Sequence, residues 1–251
     1  MLKWLSILKL CVITSLLLLL WQGIISLGNL PHYVLPSSTS VFSAFLSHYE
    51  LIWEHTLITL AEIFLGLTIG ISLGIISALL LSLSRFLSSL LLPLFVISQA
   101  IPVFAVAPLF VLWFGYGMAS KIVMTVLIIY FPVTASCFDG LRQTPQGWLE
   151  LAQTYRLLPL QLLLKVRLPA ALPSLSSGIR IAVSVAPIGA VVGEWVGSSQ
   201  GLGYLMLHAN ARMQVDLMFV ALFTLLLIAL VLYVAMDKIL TRAIPWVAKI
   251  R

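Results

Sequence analysis

The chain has 251 residues, 61% of them hydrophobic and 9% charged, with a formal net charge of +6 and a mean hydropathy of +1.13. A soluble domain carries about a quarter charged residues, so this composition excludes one and selects the membrane as solvent. The positive balance then bears on which side of the bilayer the loops lie, not on nucleic acid. Two cysteines, Cys11 and Cys137, sit in apolar runs; they supply no disulfide framework and read as small hydrophobes.

A spanning helix needs about 20 mostly apolar residues. Such runs occur at 5–27, 56–83, 90–114, 120–139, 173–197 and 216–236, which predicts an all-α membrane bundle of six spans forming one transmembrane domain over 1–251. Lys3 and Lys9 ahead of LLLLLW resemble a signal peptide, but the apolar stretch is long and no A-x-A pattern follows, so the helix is expected to be retained. SVFSAFLSHYELIWEH, residues 40–55, reads as an amphipathic interfacial helix. Gly66, Gly70 and Gly74 in span two, and Gly189, Gly193 and Gly197 in span five, each share a helix face and permit close helix approach. The second ladder runs into GSSQGLGY, where a moving gate is the alternative to plain packing. Pro93, Pro102 and Pro108 interrupt span three and Pro187 interrupts span five, and the carbonyls they free must face protein or a wet path.

Eleven of the fourteen Lys and Arg fall on one side if the N-terminus is inside, against Lys121 and Arg212 outside and Arg180 within a span. That bias predicts that both termini are cytoplasmic, with a long cytoplasmic loop at 140–172. Ionisable groups at membrane depth are expensive and point to function; here they are Glu62, Arg180 and Glu194. Counting 1.5 Å per residue puts Glu62 about 9 Å and Glu194 about 6 Å below the outer surface, and Arg180 about 10 Å above the inner one. A Glu62–Arg180 bridge would need strong helix tilt. Arg180 is expected to snorkel toward the cytoplasm, the alternative being a substrate contact. Glu194 beside Trp195 suits either a neutral or cationic heteroaromatic cargo or an ordinary interfacial pair.

The 140–172 loop is unusual. Thr144 before Pro145 is a helix start, predicting a helix to about Leu157. Pro159 forces a break at Leu158, and a second short helix, QLLLKVRL, is expected to stop at Pro169. The elbow so formed would present Tyr155, Leu157 and Leu158 to a groove on a soluble partner; a basic loop that only anchors topology is the plain alternative.

Glu150 and Ala152, then Leu168 and Pro169 at the right distance, resemble the signature loop of ATP-binding-cassette importer permeases, E-A-A, three residues, G, nine residues, I-x-L-P. Leu151 replaces one Ala, Val166 stands for Ile, and Arg156 occupies the glycine position. QAIPVFAVAPLFVLWFGYG (99–117) and GEWVGSSQGLGY (193–204) resemble the subfamily serving sulfonates, nitrate and pyrimidine precursors of thiamine. The resemblance implies a type I importer permease in the inner (plasma) membrane, surrounded by lipid. It also implies a second permease subunit, expected to be a copy of this one, two cytoplasmic ATPases that use ATP and Mg, and an external solute-binding protein. The coupling residues it implies are Glu150, Ala152, Tyr155, Arg156, Leu157, Leu158, Pro159, Leu168 and Pro169. Gln99, Pro102, Phe104, Gly193, Glu194 and Trp195 are the candidate path or gate.

The chain has no G-x-x-x-x-G-K-[ST] phosphate loop and no H-E-x-x-H. His32, His48, His55 and His208 lack metal-ligand spacing, and Ser176 and Ser177 read as packing hydroxyls, so no catalysis, bound cofactor, metal or nucleic acid is expected. The two outer carboxylates disfavour an anionic cargo, leaving a thiamine-precursor pyrimidine ahead of a sulfonate, taurine or nitrate. A secondary transporter or channel is the rival class, but no inverted repeat is visible.

Overall fold

The structure, a computed structural model, describes residues 2–246. In chain order its helices are α1 (Leu2–Gly28), α2 (Ser38–Ser47), α3 (Tyr49–Leu83), α4 (Arg85–Ala100), α5 (Val103–Phe114), α6 (Met118–Arg142), α7 (Gln146–Thr154), α8 (Pro159–Leu162), α9 (Leu168–Gly197), α10 (Leu202–Ala211) and α11 (Val215–Ala243), with a π-helical segment at Leu163–Arg167. Among the described residues four helices are long and apolar enough to cross a bilayer: α3, α6, the continuous Pro159–Gly197 rod and α11. α4 and α5 together make a fifth apolar unit, bent by 100°.

α6 is the centre. It packs most extensively on α9 and next on α3, and the glycine ladders are the reason. A Cβ on Gly66, Gly70 or Gly74 would lie 2.5, 2.6 or 2.8 Å from Thr125, Ile129 or Val133 of α6. From the other side, one on Gly189 would lie 2.7 Å from the Thr125 Cα, and one on Gly193 3.0 Å from the Lys121 Cα. Both ladders therefore serve packing: five of the six glycines meet α6, and the sixth, Gly197, meets Val111 of α5. Ile63, Ile129, Val133, Cys137 and Val183 fill the core between them; the Cys11 side chain lies outside the described ones.

Span three is not the single helix predicted. Pro102 has no N–H, and it disfavours helical geometry in the residue before it. Ile101 is extended (φ −80°, ψ 117°) and the chain turns there. Pro93 and Pro108, by contrast, lie inside helices that continue. The interfacial segment divides at His48, so its second half belongs to the long α3.

Pro169 does not end a helix either. In a regular turn its ring would clash with the carbonyl four residues back; the wide π-turn at Leu163–Arg167, in which the Leu168 N–H reaches the Leu163 carbonyl, falls immediately before it. Such local adjustments let helices carry proline. The result is one 39-residue rod from Pro159 to Gly197.

Candidate functional site: the elbow and the opposite polar cluster

At one end of the bundle lies the elbow. Thr144 does not cap α7 as expected: its buried hydroxyl donates to the Leu141 carbonyl at the end of α6, and Pro145 is the N-cap. α7 stops at Thr154, three residues short of the predicted end. The Arg156 N–H bonds the Gln153 carbonyl and the Leu157 N–H bonds the Ala152 carbonyl, the two bonds of a Schellman ending, whose C′ residue sits in the left-handed region. That residue is Arg156, at φ 50°, so the geometry that glycine favours is kept with an arginine in place.

Leu158 is extended and Pro159 opens the next helix. Ala152 and Leu163 are buried where α7 leans on the rod, whereas Tyr155 and Leu158 are 73% and 63% exposed. Glu150 and Arg156 point outward, and Leu168 and Pro169 are half-buried at the rod's base. Trp148, Leu151, Tyr155, Lys165, Val166 and Pro169 border an apolar groove of about 300 Å³. Of the nine candidate coupling residues, Ala152, Tyr155, Leu157 and Pro169 line this groove, and Glu150, Arg156, Leu158, Pro159 and Leu168 lie on the same elbow.

The other end holds a cluster only partly visible in the sequence. Lys121, one turn into α6, is 5% exposed and forms an ion pair with fully buried Glu62 of α3. Its ammonium also donates to Ser198 Oγ at 3.0 Å. Glu194 of α9 is 1% exposed. One of its oxygens accepts from Thr59 Oγ1 at 2.6 Å, and the other accepts the Gly203 and Tyr204 N–H groups. Thr59 Oγ1 in turn accepts the Leu202 N–H, and His55 Nδ1 accepts the Gly201 N–H, each at 2.8 Å.

A helix begins with backbone N–H groups that lack intrahelical partners and carries positive partial charge there. Glu194 and Thr59 therefore cap α10 from two neighbouring helices. Gly201 (φ 110°) and Gly203 allow it, since a Cβ on either would lie 2.2 or 2.8 Å from the carboxylate.

These contacts correct several expectations. Lys121 is no outer-loop charge. Glu194 does not face an open path beside Trp195: its carboxylate is spent on backbone N–H groups, while Trp195 is 42% exposed. GSSQGLGY is not a loose gate but is held at Ser198, Gly201, Leu202, Gly203 and Tyr204. Arg180 bonds Asp237 of α11 at 2.7 Å and Ser176 at 3.2 Å. Gln99, Pro102 and Phe104 are each exposed near the α4–α5 bend, while Gly193 is buried against Lys121. Tyr204, which stacks between His55 and His208, was not anticipated. The available signal for Lys121 was its place at the head of an apolar run, where two carboxylates needed a counterion.

Residues 70–248 match the family model of the binding-protein-dependent transport system inner membrane component. The chain belongs to that family: it is a multi-pass inner-membrane permease subunit of the ATP-binding-cassette importer class. It is 66% identical to a probable ABC transporter permease of Haemophilus influenzae, over 95% of this chain and 97% of that one. It is 38% identical to the formylaminopyrimidine transport permease ThiX of Halalkalibacterium halodurans, over 92% of each chain. It is 39% identical to the riboflavin transport permease RibX of Chloroflexus aurantiacus, over 94% and 89%. Among solved structures, the inward-facing MetNI methionine transporter shares the fold, with a TM-score of 0.59 at 23% identity, over 78% of this chain and 95% of that one.

Proposed function

We propose that this chain is the pathway-forming subunit of an ATP-driven importer for a neutral nitrogen heteroaromatic, with a pyrimidine precursor of thiamine as the leading cargo. It crosses the membrane six times with both termini in the cytoplasm. Two copies stand on a pair of cytoplasmic ATPases that use ATP and Mg, and an external binding protein delivers the solute. The observation that carries the reading is the elbow: an apolar knuckle, exposed at Tyr155 and Leu158, built on the rigid base of a membrane-crossing rod. Closure of the ATPases moves the elbow, the rod follows, and a central path opens alternately to the two sides.

Support for the cargo class comes from charge. Within the apolar runs 56–83, 90–114, 120–139, 173–197 and 216–236 the cations are Lys121 and Arg180, paired with Glu62 and Asp237, an arrangement that does not favour a sulfonate or nitrate. The relatives named for formylaminopyrimidine and riboflavin agree with a flat, uncharged ring system.

The test is coupling in the purified complex. Glu150→Lys or Ala152→Pro is expected to lower uptake about tenfold or more, the loss typical of a well-packed interface anchor, while the permease still inserts and ATP turnover loses its response to loaded binding protein. Normal coupled transport by both variants, or uptake that persists without any ATPase, refutes the assignment. Uptake of labelled pyrimidine against taurine and nitrate tests the cargo; failure there alone leaves the coupling role standing.

A further inference from the structure

Where α2, α3 and α11 meet, away from the elbow, the structure has an apolar groove of about 760 Å³ bordered by Tyr49, Trp53, Leu60, Phe64, Leu227 and Val231. A second groove of about 340 Å³, between α1, α2 and α11, shares Phe45, Thr224 and Leu227 with it. The two form a fork around the Phe45 ring. In its upper wall stands Thr56, 6% exposed, whose hydroxyl is buried and has no hydrogen-bond partner. Other threonines on these helices behave differently: Thr68 of α3 and Thr224 and Thr241 of α11 each donate to the carbonyl four residues back. An unpaired buried hydroxyl costs about 1–3 kcal/mol, so this one calls for an acceptor.

We propose that the fork is a binding site for one diacyl phospholipid of the leaflet opposite the elbow. Aromatic residues of the Tyr49 and Trp53 kind collect at the headgroup level of a bilayer, and Thr56 lies one turn deeper, where ester carbonyls sit. A single χ1 step turns its hydroxyl toward the groove to donate to such a carbonyl. From Thr56 to Phe64 the wall descends about 12 Å at 1.5 Å per residue, a furrow for the first acyl chain. The second chain passes on the other side of Phe45, toward Leu18 and Trp21. Lipid is the occupant because the groove walls carry no charge, lie on two apolar helices long enough to cross a membrane, and divide in two as a diacyl molecule does. The bound lipid would fill the seam joining α3 to α11, which pack on each other far less than either α3 or α9 packs on α6.

The test uses the full-length permease in the assembly that copurifies with it. A phosphatidylethanolamine carrying a diazirine in one acyl chain is incorporated into phosphatidylethanolamine–phosphatidylglycerol vesicles, photolysed, and mapped by peptide mass spectrometry; retained lipid is counted by native mass spectrometry. Labelling is expected on the segments containing Phe64 and Leu227, with one lipid kept per chain after mild detergent exchange. Leu227→Trp, which fills the fork, is expected to abolish both signals. Thr56→Val, which keeps the shape, is expected to lower retention about fivefold, the worth of one net hydrogen bond. Undiminished labelling and retention in either variant overturns the site. So does finding the fork covered by a helix of a second permease copy.

Discussion

Lys121 shows what a single buried cation does in this fold. Its ammonium compensates Glu62 and holds Ser198, and removing one partner of a buried pair leaves the other charge unpaired. Lys121→Met is therefore expected to destabilise by about 3–5 kcal/mol, read as a fall in melting temperature of the detergent-solubilised protein. Adding Glu62→Gln to it is expected to restore most of that, because the orphaned carboxylate is gone; a double variant as weak as the single one contradicts the pairing. Arg156 is the second informative residue. A non-glycine residue in left-handed geometry costs about 1–2 kcal/mol, and glycine's own entropy offsets about 0.5–1 of it. Arg156→Gly should thus stabilise modestly, whereas Arg156→Ala, which keeps the Cβ, should gain nothing. Equal melting of the two variants removes backbone strain as the explanation. The Arg180–Asp237 pair is half-exposed and contributes little by the same reasoning.

Among elements, α10 and the glycine ladders make opposite demands on space. α10 is short and owes its first turn to Glu194 and Thr59. Glu194→Ala is expected to cost about 0.5–2 kcal/mol, the range for losing a cap, and to speed hydrogen exchange at Leu202, Gly203 and Tyr204; unchanged protection there refutes the capping role. Thr125 is pressed by Gly66 on one side and Gly189 on the other, so it cannot yield. Gly189→Ala should cost more than Gly70→Ala, at the upper end of the 1–3 kcal/mol typical of overpacking, because the nearest atom at Gly189 is the Thr125 backbone Cα, whereas at Gly70 it belongs to the Ile129 side chain, which can turn. Thermal melting of the two variants decides it. The long elements and the elbow were legible because apolar run length and proline chemistry are local properties. The sharpness of the Pro102 bend was not: proline announces a break, but how Ala107 and Val111 pack against Met124 sets where the chain goes next. The polar cluster was hidden for a related reason, since its bonds join residues as far apart as His55 and Gly201, 146 positions distant. Depth counted along one straight helix cannot show which neighbour lies opposite. Asp237 escaped notice because it falls one residue past the predicted end of the last span.

For the whole molecule, the two candidate sites lie at opposite tips of one rod. Pro159 begins at the elbow, and Gly197 ends beside the segment that Glu194 and Lys121 hold down. At 1.5 Å per residue, 39 residues measure about 58 Å, so rocking the rod 10° about its middle carries each tip about 5 Å in opposite directions. The far tip would take α10 with it, because the Glu194 carboxylate belongs to the rod and its hydrogen-bond partners belong to the cap. A push at one surface of the membrane would thereby reach the other as a counter-swing of the rod together with α6, to which Gly189 and Gly193 fasten it.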